Sequence, residues 1–303
     1  MRTARAWILG VLVASAAQAS PADDVLVDRD VRYGEAGGHP LLLDLYRPKD
    51  RPAGHKRPAI VMIHGGGWKS WPDGKWTKAT DAETARAFAR KGYWVTSIDY
   101  RLSDVAPFPA AVLDCKRAIR WVRAHAAEQD VDPGKIGVWG FSAGGHLALL
   151  LGSTGPQDGF DDDPERSGAS TRVQAVASWA GLSDLASTDG PRKLVGEREE
   201  LTRKFIGGTF AEMPEAYRKA SPLIYVSSRS APTLFVHGDR DQLVPYSHSE
   251  VMLGKLKAAG VEASLLTVKG APHLFFSEEN QDPPLSRMIE ETLRFFDRHL
   301  KAP

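Results

Sequence analysis

The sequence of 303 residues has one cysteine, Cys115, so no disulfide can form within the chain. Small exported domains often depend on disulfides, but a domain of this length buries a core large enough to be stable without them. Cys115 lies in a segment where Val112, Ile119 and Val122 recur at helical spacing. We therefore predict that this thiol lies on the buried face of a helix, in the core, and is not catalytic.

The chain also lacks an excess of charge, because 39 Lys and Arg residues balance 38 Asp and Glu residues. Proteins that bind nucleic acid carry dense basic clusters, and the sequence contains none. A small-molecule or polysaccharide substrate fits this composition better than nucleic acid. The sequence has neither a His-Glu-x-x-His motif nor a cysteine cluster, so we expect no metal and no cofactor.

Long hydrophobic runs are missing too, apart from one near the start of the chain. Residues 6–17, AWILGVLVASAA, follow two arginines and precede an Ala-x-Ala site that ends at Ala19. The run is shorter than the ~20 residues that a membrane-spanning helix requires, and the pattern is typical of a signal peptide. We expect residues 1–19 to be cleaved, and the mature protein to be periplasmic or secreted without stable membrane insertion.

Residues 20–303 alternate between apolar strand-like segments and amphipathic helical segments, which indicates one α/β domain. The strand-like segments are residues 58–63, 93–100, 135–140, 173–181, 232–239 and 263–268. The helical segments are residues 81–92, 109–128, 143–152 and 283–300, and a hairpin at 25–48 precedes them all. This order predicts a mostly parallel central sheet with helices on both faces, in which ligands bind at the carboxyl ends of the strands.

The alternation stops at residues 183–222, a mostly polar segment that we interpret as helices and loops inserted above the sheet. Such a segment can form a short cap over a binding site, or it can be a surface excursion. The sequence favours neither interpretation over the other.

One serine lies in a segment suited to catalysis. GFSAG, residues 140–144, stands between a predicted strand and a predicted helix. It matches Gly-x-Ser-x-Gly, in which a nucleophilic serine is presented on a sharp turn and small neighbours let the backbone close around it. We predict that Ser142 is the nucleophile. The N–H of Ala143, at the start of the helix, is then placed to donate to an oxyanion.

A second glycine-rich segment, HGGGW at residues 64–68, also follows a predicted strand. The tetrahedral intermediate of acyl transfer carries negative charge on the former carbonyl oxygen, and glycines let backbone N–H groups approach that atom. We predict that Gly66 and Gly67 are the donors and that Gly65 shapes the turn.

A serine nucleophile needs a base, and the chain has nine histidines. Five fall in predicted loops, helix ends or surface positions, where we expect them to be solvated: His39, His55, His125, His248 and His299. Three others are expected to pack or to bond structurally: His64, His146 and His237. The remaining candidate, His273, lies in a loop before the last helix, from which it can reach a serine on another strand.

The base in turn needs a carboxylate that orients it. Asp239 and Asp241 both lie at the end of the same predicted strand, in HGDRDQLVP, and both qualify. Asp239 directly follows the strand and is suited to capping the turn. Asp241 is better placed to reach the loop of His273, so we favour it as the acid.

The segments HGGGW, DYRL, GFSAGGHLA and HGDRDQLVP occur in this order. With them the sequence resembles the α/β-hydrolase superfamily over about residues 40–300. It looks most like the branch with acetylxylan and feruloyl esterases, kynurenine formamidase and hormone-sensitive-lipase-type carboxylesterases. The chain order serine, aspartate, histidine is also that of the superfamily. The sequence departs from the formamidases at Gly67, where they carry a bulkier residue. It departs from the larger lipase-type enzymes in having a hairpin instead of an N-terminal helical cap.

The resemblance implies a catalytic triad of Ser142, His273 and Asp241 and an oxyanion hole of Gly66, Gly67 and Ala143. It also implies that DYRL supports the oxyanion loop. The implied activity is hydrolysis of short-chain acyl esters, such as carbohydrate acetyl or feruloyl esters, through a covalent acyl-enzyme. Two alternatives stay open at this point. One is an amidase, peptidase or formamidase on the same fold, and the other is a non-catalytic binding protein on a hydrolase scaffold.

Overall fold

The computed structural model describes residues 24–50, 56–74, 76–161, 168–188, 190, 192–275 and 281–301. The predicted signal peptide, residues 1–19, and His55 lie outside these residues. None of the helices in the described ranges combines the length and the hydrophobicity needed to cross a bilayer.

A central sheet organises the fold. Its strands are β1 (Val25–Ala36), β2 (His39–Pro48), β3 (Arg57–Ile63), β4 (Trp94–Ile98), β5 (Val131–Phe141), β6 (Ala175–Trp179), β7 (Thr233–Gly238) and β8 (Ala263–Val268). They lie in the order β1-β2-β4-β3-β5-β6-β7-β8. The hairpin β1–β2 is antiparallel and β2 runs antiparallel to β4, whereas every neighbouring pair from β4 to β8 is parallel. The prediction of a mostly parallel sheet is confirmed.

Helices cover both faces of this sheet. They are α1 (Ala82–Arg90), α2 (Ala110–Ala124), α3 (Ala143–Ser153), α4 (Gly196–Ile206), α5 (Pro214–Lys219), α6 (Ser247–Ala258) and α7 (Leu285–Phe296). One core contains Ile119 of α2, Leu147 of α3 and Leu256 of α6. The core on the opposite face contains Phe88 of α1 and Phe296 of α7. A parallel sheet needs helices on both sides, because its strands are apolar on both faces.

Cys115 is fully buried in α2, as its helical spacing predicts. Burial raises the pKa of its thiol well above the ordinary value. The thiol is therefore neutral and packs as a small apolar side chain.

Residues 183–222, called the insertion from here on, contain α4 and α5. The ring of Phe205 in α4 stacks on Trp68, with ring centroids 4.4 Å apart. Arg198 and Leu201 of the same helix line a cavity together with Ser142. Of the two interpretations of this segment, the structure supports the cap.

Candidate active site

Ser142 occupies a sharp turn between β5 and α3, with φ of 53° and ψ of −116°. A positive φ is uncommon for a residue with a side chain, and it persists only where the surroundings enforce it. A Cβ added at Gly140 would lie 2.2 Å from the carbonyl oxygen of Gly144, and one at Gly144 would lie 2.0 Å from that of Ile63. Both glycines of the motif are therefore required by close backbone contacts.

The three predicted catalytic side chains meet at the carboxyl edge of the sheet. Ser142 follows β5, Asp241 follows β7 and His273 follows β8. The hydroxyl of Ser142 donates to Nε2 of His273, with Oγ and Nε2 2.9 Å apart. Nδ1–H of His273 donates to Oδ2 of Asp241 over 2.6 Å. Ser142 keeps 7% of its surface exposed, so a small group can still reach its hydroxyl.

Asp241 is held in place by four donors. Its Oδ1 accepts the N–H groups of Leu243 and Val244, at 2.9 and 2.7 Å. Its Oδ2 accepts His273 and, at 3.2 Å, Nε2–H of His237. Burial acts to raise the pKa of this carboxyl group, but the hydrogen bonds from His237 and His273 outweigh it and lower the pKa to about 2. Asp241 is therefore ionised throughout the neutral and mildly acidic range.

Asp239, the other candidate acid, is exposed and points elsewhere. Its Oδ1 accepts the N–H of Gly270 over 2.6 Å, which ties the turn after β7 to the loop after β8. The structure thus brings Asp241 to His273 and leaves Asp239 in the capping position.

The predicted oxyanion donors are only partly brought together. Gly67 and Ala143 line the same cavity as Ser142. Gly66, with φ of +100°, packs against Trp76, whose Cβ would lie 2.4 Å from a Cβ added at the glycine. Within the described residues, the N–H groups of Gly66, Gly67 and Ala143 have no hydrogen-bond partner. All three donors are thus available, and two of them belong to residues that line the cavity.

His64 and His146 have the structural positions expected of them. His64 stacks on Tyr100 with ring centroids 4.5 Å apart, and its Nδ1–H donates to the carbonyl of Gly65. His146 donates from Nε2 to the carbonyl of Ala220 over 2.7 Å, and burial lowers its pKa to about 4.

His237 is also structural, and it supports the candidate acid directly. Its Nδ1 accepts the hydroxyl of Ser249 over 2.7 Å, and its Nε2–H is shared between Asp241 and the carbonyl of Val244. The sequence identified this residue as structural but gave no sign that it bonds to Asp241.

The expectation for His248 is wrong. It was expected to be solvated, but it is fully buried on α6, and its Nδ1 accepts the N–H of Ser183 over 3.2 Å. Burial, followed by the positive charge of Arg198, lowers its pKa well below the ordinary value. A neutral imidazole can be buried on the inner face of a helix. Because the sequence of α6 is largely polar, the sequence alone does not show which face of this helix is the inner one.

The cavity beside Ser142 is small, at about 20 Å³. Its walls are mostly apolar and come from five places in the chain: Gly67, Trp68, Ala143, Leu182, Arg198, Leu201, Leu243 and Val244. This volume is close to the space that one ordered water occupies. We call it the Ser142 cavity, and it accommodates a group of about the size of a methyl.

Arg198 and Leu201 are the site residues that the sequence did not reveal. Arg198 is 6% exposed, and its guanidinium donates to the carbonyls of Leu243, over 3.0 Å, and Lys193. Leu243 also donates its N–H to Asp241, so Arg198 joins the insertion to the turn that holds the acid. In the part of the chain that the structure describes, no three His, Cys, Asp or Glu side chains are grouped as metal ligands would be.

The parallel sheet, the strained serine turn and the serine, aspartate, histidine order together define an α/β-hydrolase fold. The family model described as BD-FAE matches residues 43–256, more than half of the chain. The chain belongs to this BD-FAE family.

Two solved structures resemble the chain over almost its full length. One is a truncated form of a carbohydrate esterase from gut microbiota, with a TM-score of 0.76 and 25% identity over 93% of this chain and 99% of that one. The other is the thermophilic esterase Est2 of Thermogutta terrifontis, with a TM-score of 0.73 and 29% identity over 90% of this chain and 91% of that one.

Two curated relatives come from Mycobacterium tuberculosis. Esterase LipQ is 31% identical over 271 residues, which are 88% of this chain and 61% of LipQ. Esterase LipC is 32% identical over 249 residues, which are 82% of this chain and 59% of LipC. The chain therefore spans about three fifths of the length of these relatives.

Proposed function

We propose that the protein is a carboxylic-ester hydrolase that uses Ser142 as its nucleophile. The observation that carries the proposal is the continuous pair of hydrogen bonds from Ser142 through His273 to Asp241. This is the arrangement in which a histidine can take up a serine proton while a carboxylate stabilises the resulting imidazolium. Relatives and structural neighbours that are named as esterases support the same chemistry.

The reaction proceeds in two acyl-transfer steps. His273 Nε2 takes the proton of Ser142 as Oγ attacks the ester carbonyl carbon and the carbonyl π electrons move onto its oxygen. Collapse of this tetrahedral intermediate breaks the bond to the alcohol, which leaves with the proton from His273. Water then attacks the acyl-enzyme with the same proton movements and releases the carboxylic acid and free Ser142.

The backbone N–H groups of Gly67 and Ala143 stabilise the oxyanion in both steps. Both residues line the cavity with Ser142, and their N–H groups have no other partner among the described residues. Gly66 contributes by keeping the loop in a conformation that only glycine adopts readily, with φ of +100°. Preorganised donors of this kind are worth about 10²- to 10³-fold each in kcat.

We further propose that the acyl group is short and that the alcohol is a carbohydrate. The Ser142 cavity of about 20 Å³ favours acetyl over longer acyl chains. A carbohydrate alcohol is suggested by the likeness to a carbohydrate esterase of gut microbiota. Export through the predicted signal peptide, residues 1–19, would bring the enzyme to such a polymer.

A panel of substrates tests these proposals together. It contains acetylated xylan, acetylated pectin, a feruloyl ester, p-nitrophenyl acetate, p-nitrophenyl butyrate and an acetyl anilide. We expect acetyl esters to be cleaved with higher kcat/KM than the butyryl ester, and the anilide to be cleaved far more slowly. Preferred cleavage of the anilide would instead favour an amidase.

Replacing Asp241→Asn should reduce kcat by about 10³- to 10⁴-fold, because an amide cannot stabilise the His273 imidazolium and favours the wrong tautomer. The matched control is Asp239→Asn, which keeps an acceptor oxygen for Gly270 and does not touch His273. Steady-state rates on p-nitrophenyl acetate measure both. Equal reductions of kcat in the two variants would show that Asp241 contributes no more to catalysis than Asp239 does.

The same variant gives a pH signature in stability. The pKa of Asp241 is lowered on folding, so its ionised form stabilises the protein above about pH 4, and this stabilisation is lost as the pH falls toward about 2. Wild type should thus be more stable than Asp241→Asn at neutral pH, and the difference should shrink at acid pH. Urea unfolding at several pH values measures the difference in stability between the two proteins. A difference that does not change with pH would contradict the lowered pKa of Asp241.

Replacing Leu201→Ala should widen the acyl specificity. The side chain of Leu201 would lie 3.0 Å from a Cβ added at Gly67, so it closes the Ser142 cavity from the insertion side. We expect the ratio of kcat/KM for p-nitrophenyl butyrate to that for the acetate to rise about tenfold. The control, Val195→Ala, changes a 55% exposed residue of the same insertion and should leave the ratio unchanged.

A further inference from the structure

A second and larger cavity lies in the insertion, with a volume of about 390 Å³. Its floor is apolar and is formed by Leu185, Leu194 and Tyr217, all of them buried. Phe210 stands at its rim with 37% of its surface exposed and meets Tyr217 edge to face, with ring centroids 5.4 Å apart. We call this cavity the insertion cleft, and its size is typical of sites that bind small molecules.

The polar rim of the insertion cleft contains groups of both charges. Lys193 and Arg203 are cationic, Glu199 is anionic, and all three are exposed. Arg203 is already paired with Glu200 through two hydrogen bonds of 2.9 Å. The rim therefore offers hydrogen-bond donors and acceptors side by side, without a net excess of free positive charge.

The apolar floor and the rim with both charges together determine which class of ligand the insertion cleft can bind. A purely anionic ligand would be repelled by Glu199, and a purely apolar one would bury the rim charges without partners. A neutral sugar satisfies both parts of the cleft. Its hydroxyl groups both donate and accept hydrogen bonds, and its C–H face packs against an exposed aromatic ring such as that of Phe210.

The insertion cleft and the Ser142 cavity share helix α4. Arg198 and Leu201 line the Ser142 cavity, whereas Glu199 and Arg203, one turn apart, line the cleft. Two cavities on different flanks of one α-helix are separated by about its width, roughly 10 Å. A carbohydrate chain that extends from the scissile ester across α4 would therefore reach the insertion cleft.

We propose that the insertion cleft is a carbohydrate subsite, which binds a neutral sugar residue of the same chain whose ester is cleaved at Ser142. This inference rests on the proposed function. It makes Phe210 a specificity-determining residue for carbohydrate esters, because p-nitrophenyl acetate is too small to occupy both cavities.

The first test compares two substrates in the variant Phe210→Ala. We expect the ratio of kcat/KM for an acetylated xylo-oligosaccharide to that for p-nitrophenyl acetate to fall about tenfold, mainly through KM. The matched control, Val105→Ala, changes a 45% exposed apolar residue outside the insertion and should keep the wild-type ratio. An unchanged ratio in Phe210→Ala would overturn the subsite.

The second test measures binding without catalysis. Isothermal titration follows an unacetylated xylo-oligosaccharide with the full-length Ser142→Ala variant and with the double variant that adds Phe210→Ala. We expect the second substitution to weaken Kd about tenfold, and equal binding or no binding in both variants would overturn the proposal. Because this readout needs no ester cleavage, it is independent of the proposed function, which fails separately if the wild type cleaves no ester.

Discussion

Ser142→Ala should lower kcat on p-nitrophenyl acetate by at least about 10⁴-fold and leave the fold intact. In the proposed mechanism the hydroxyl is the atom that attacks the carbonyl, and His273 and Asp241 act only through it, so its removal disables all three side chains. A small residual rate is expected, because the proposed oxyanion donors, Gly67 and Ala143, would still stabilise attack by water. Steady-state rates and a thermal melt measure the two effects.

The matched control for this variant is Ser264→Ala, which removes an exposed hydroxyl on β8. It should keep the wild-type rate and Tm. A rate near that of the wild type in Ser142→Ala would contradict the assignment of the nucleophile. A loss that is accompanied by unfolding would be attributed to the turn, and Ser142→Cys would then be used to keep a side chain of similar size.

Gly144→Ala should have the largest effect on stability. The added Cβ would lie 2.0 Å from the carbonyl oxygen of Ile63, which is part of β3 and cannot move without disturbing the centre of the sheet. We expect the free energy of unfolding to fall by about 3 kcal/mol or more. Any protein that still folds should be inactive, because relief of the clash displaces the turn that carries Ser142.

Gly254→Ala provides a control of the same chemical change. Gly254 is exposed in the interior of α6, and a Cβ there would meet no atom within 4 Å among the described residues. Alanine favours a helix over glycine by about 1 kcal/mol, so this variant should be slightly more stable than the wild type. Chemical denaturation measures both variants. Equally small changes in the free energy of unfolding of the two variants would show that the turn at Ser142 tolerates a side chain at position 144.

The sheet and the candidate triad were predictable from sequence because both depend on local pattern and chain order. Buried parallel strands are short, continuous apolar runs, and their carboxyl ends meet at one edge of the sheet. Ser142, Asp241 and His273 each follow such a strand, so the topology brings them together once the strands are recognised. Asp239 and Asp241 could be separated only in part, because they differ by two residues within one turn.

Helix α6 shows where the pattern fails. Its inner face carries His248 and Ser249, both fully buried, in addition to Met252 and Leu256. Polar residues on the inner face weaken the apolar periodicity by which a helix is recognised. Nδ1 of His248 accepts the N–H of Ser183, and the hydroxyl of Ser249 donates to His237. Ser183 and His237 both lie outside α6, so only the folded chain shows that these two polar atoms have partners.

The orientation of the insertion above the sheet could not be predicted from the sequence either. The sequence of α4, GEREELTRKFI, is mostly charged, and which side of the helix turns toward Ser142 depends on its packing against the rest of the protein. The stacking of Phe205 on Trp68 fixes that orientation and thereby places Arg198 and Leu201 at the Ser142 cavity. The shape of the Ser142 cavity thus depends on tertiary contacts that no local motif encodes.

Covalent labelling of the intact protein with a fluorophosphonate tests the central claim most directly. A serine that is activated by His273 and Asp241 attacks the phosphorus, gives its proton to His273, displaces fluoride and retains the phosphonyl group, whereas an ordinary serine does not react at a comparable rate. We predict one adduct per chain, found by mass spectrometry on the peptide that contains Ser142 and absent from Ser142→Ala. A folded protein that takes up no label, or that is labelled at another residue while it hydrolyses esters, would contradict the account.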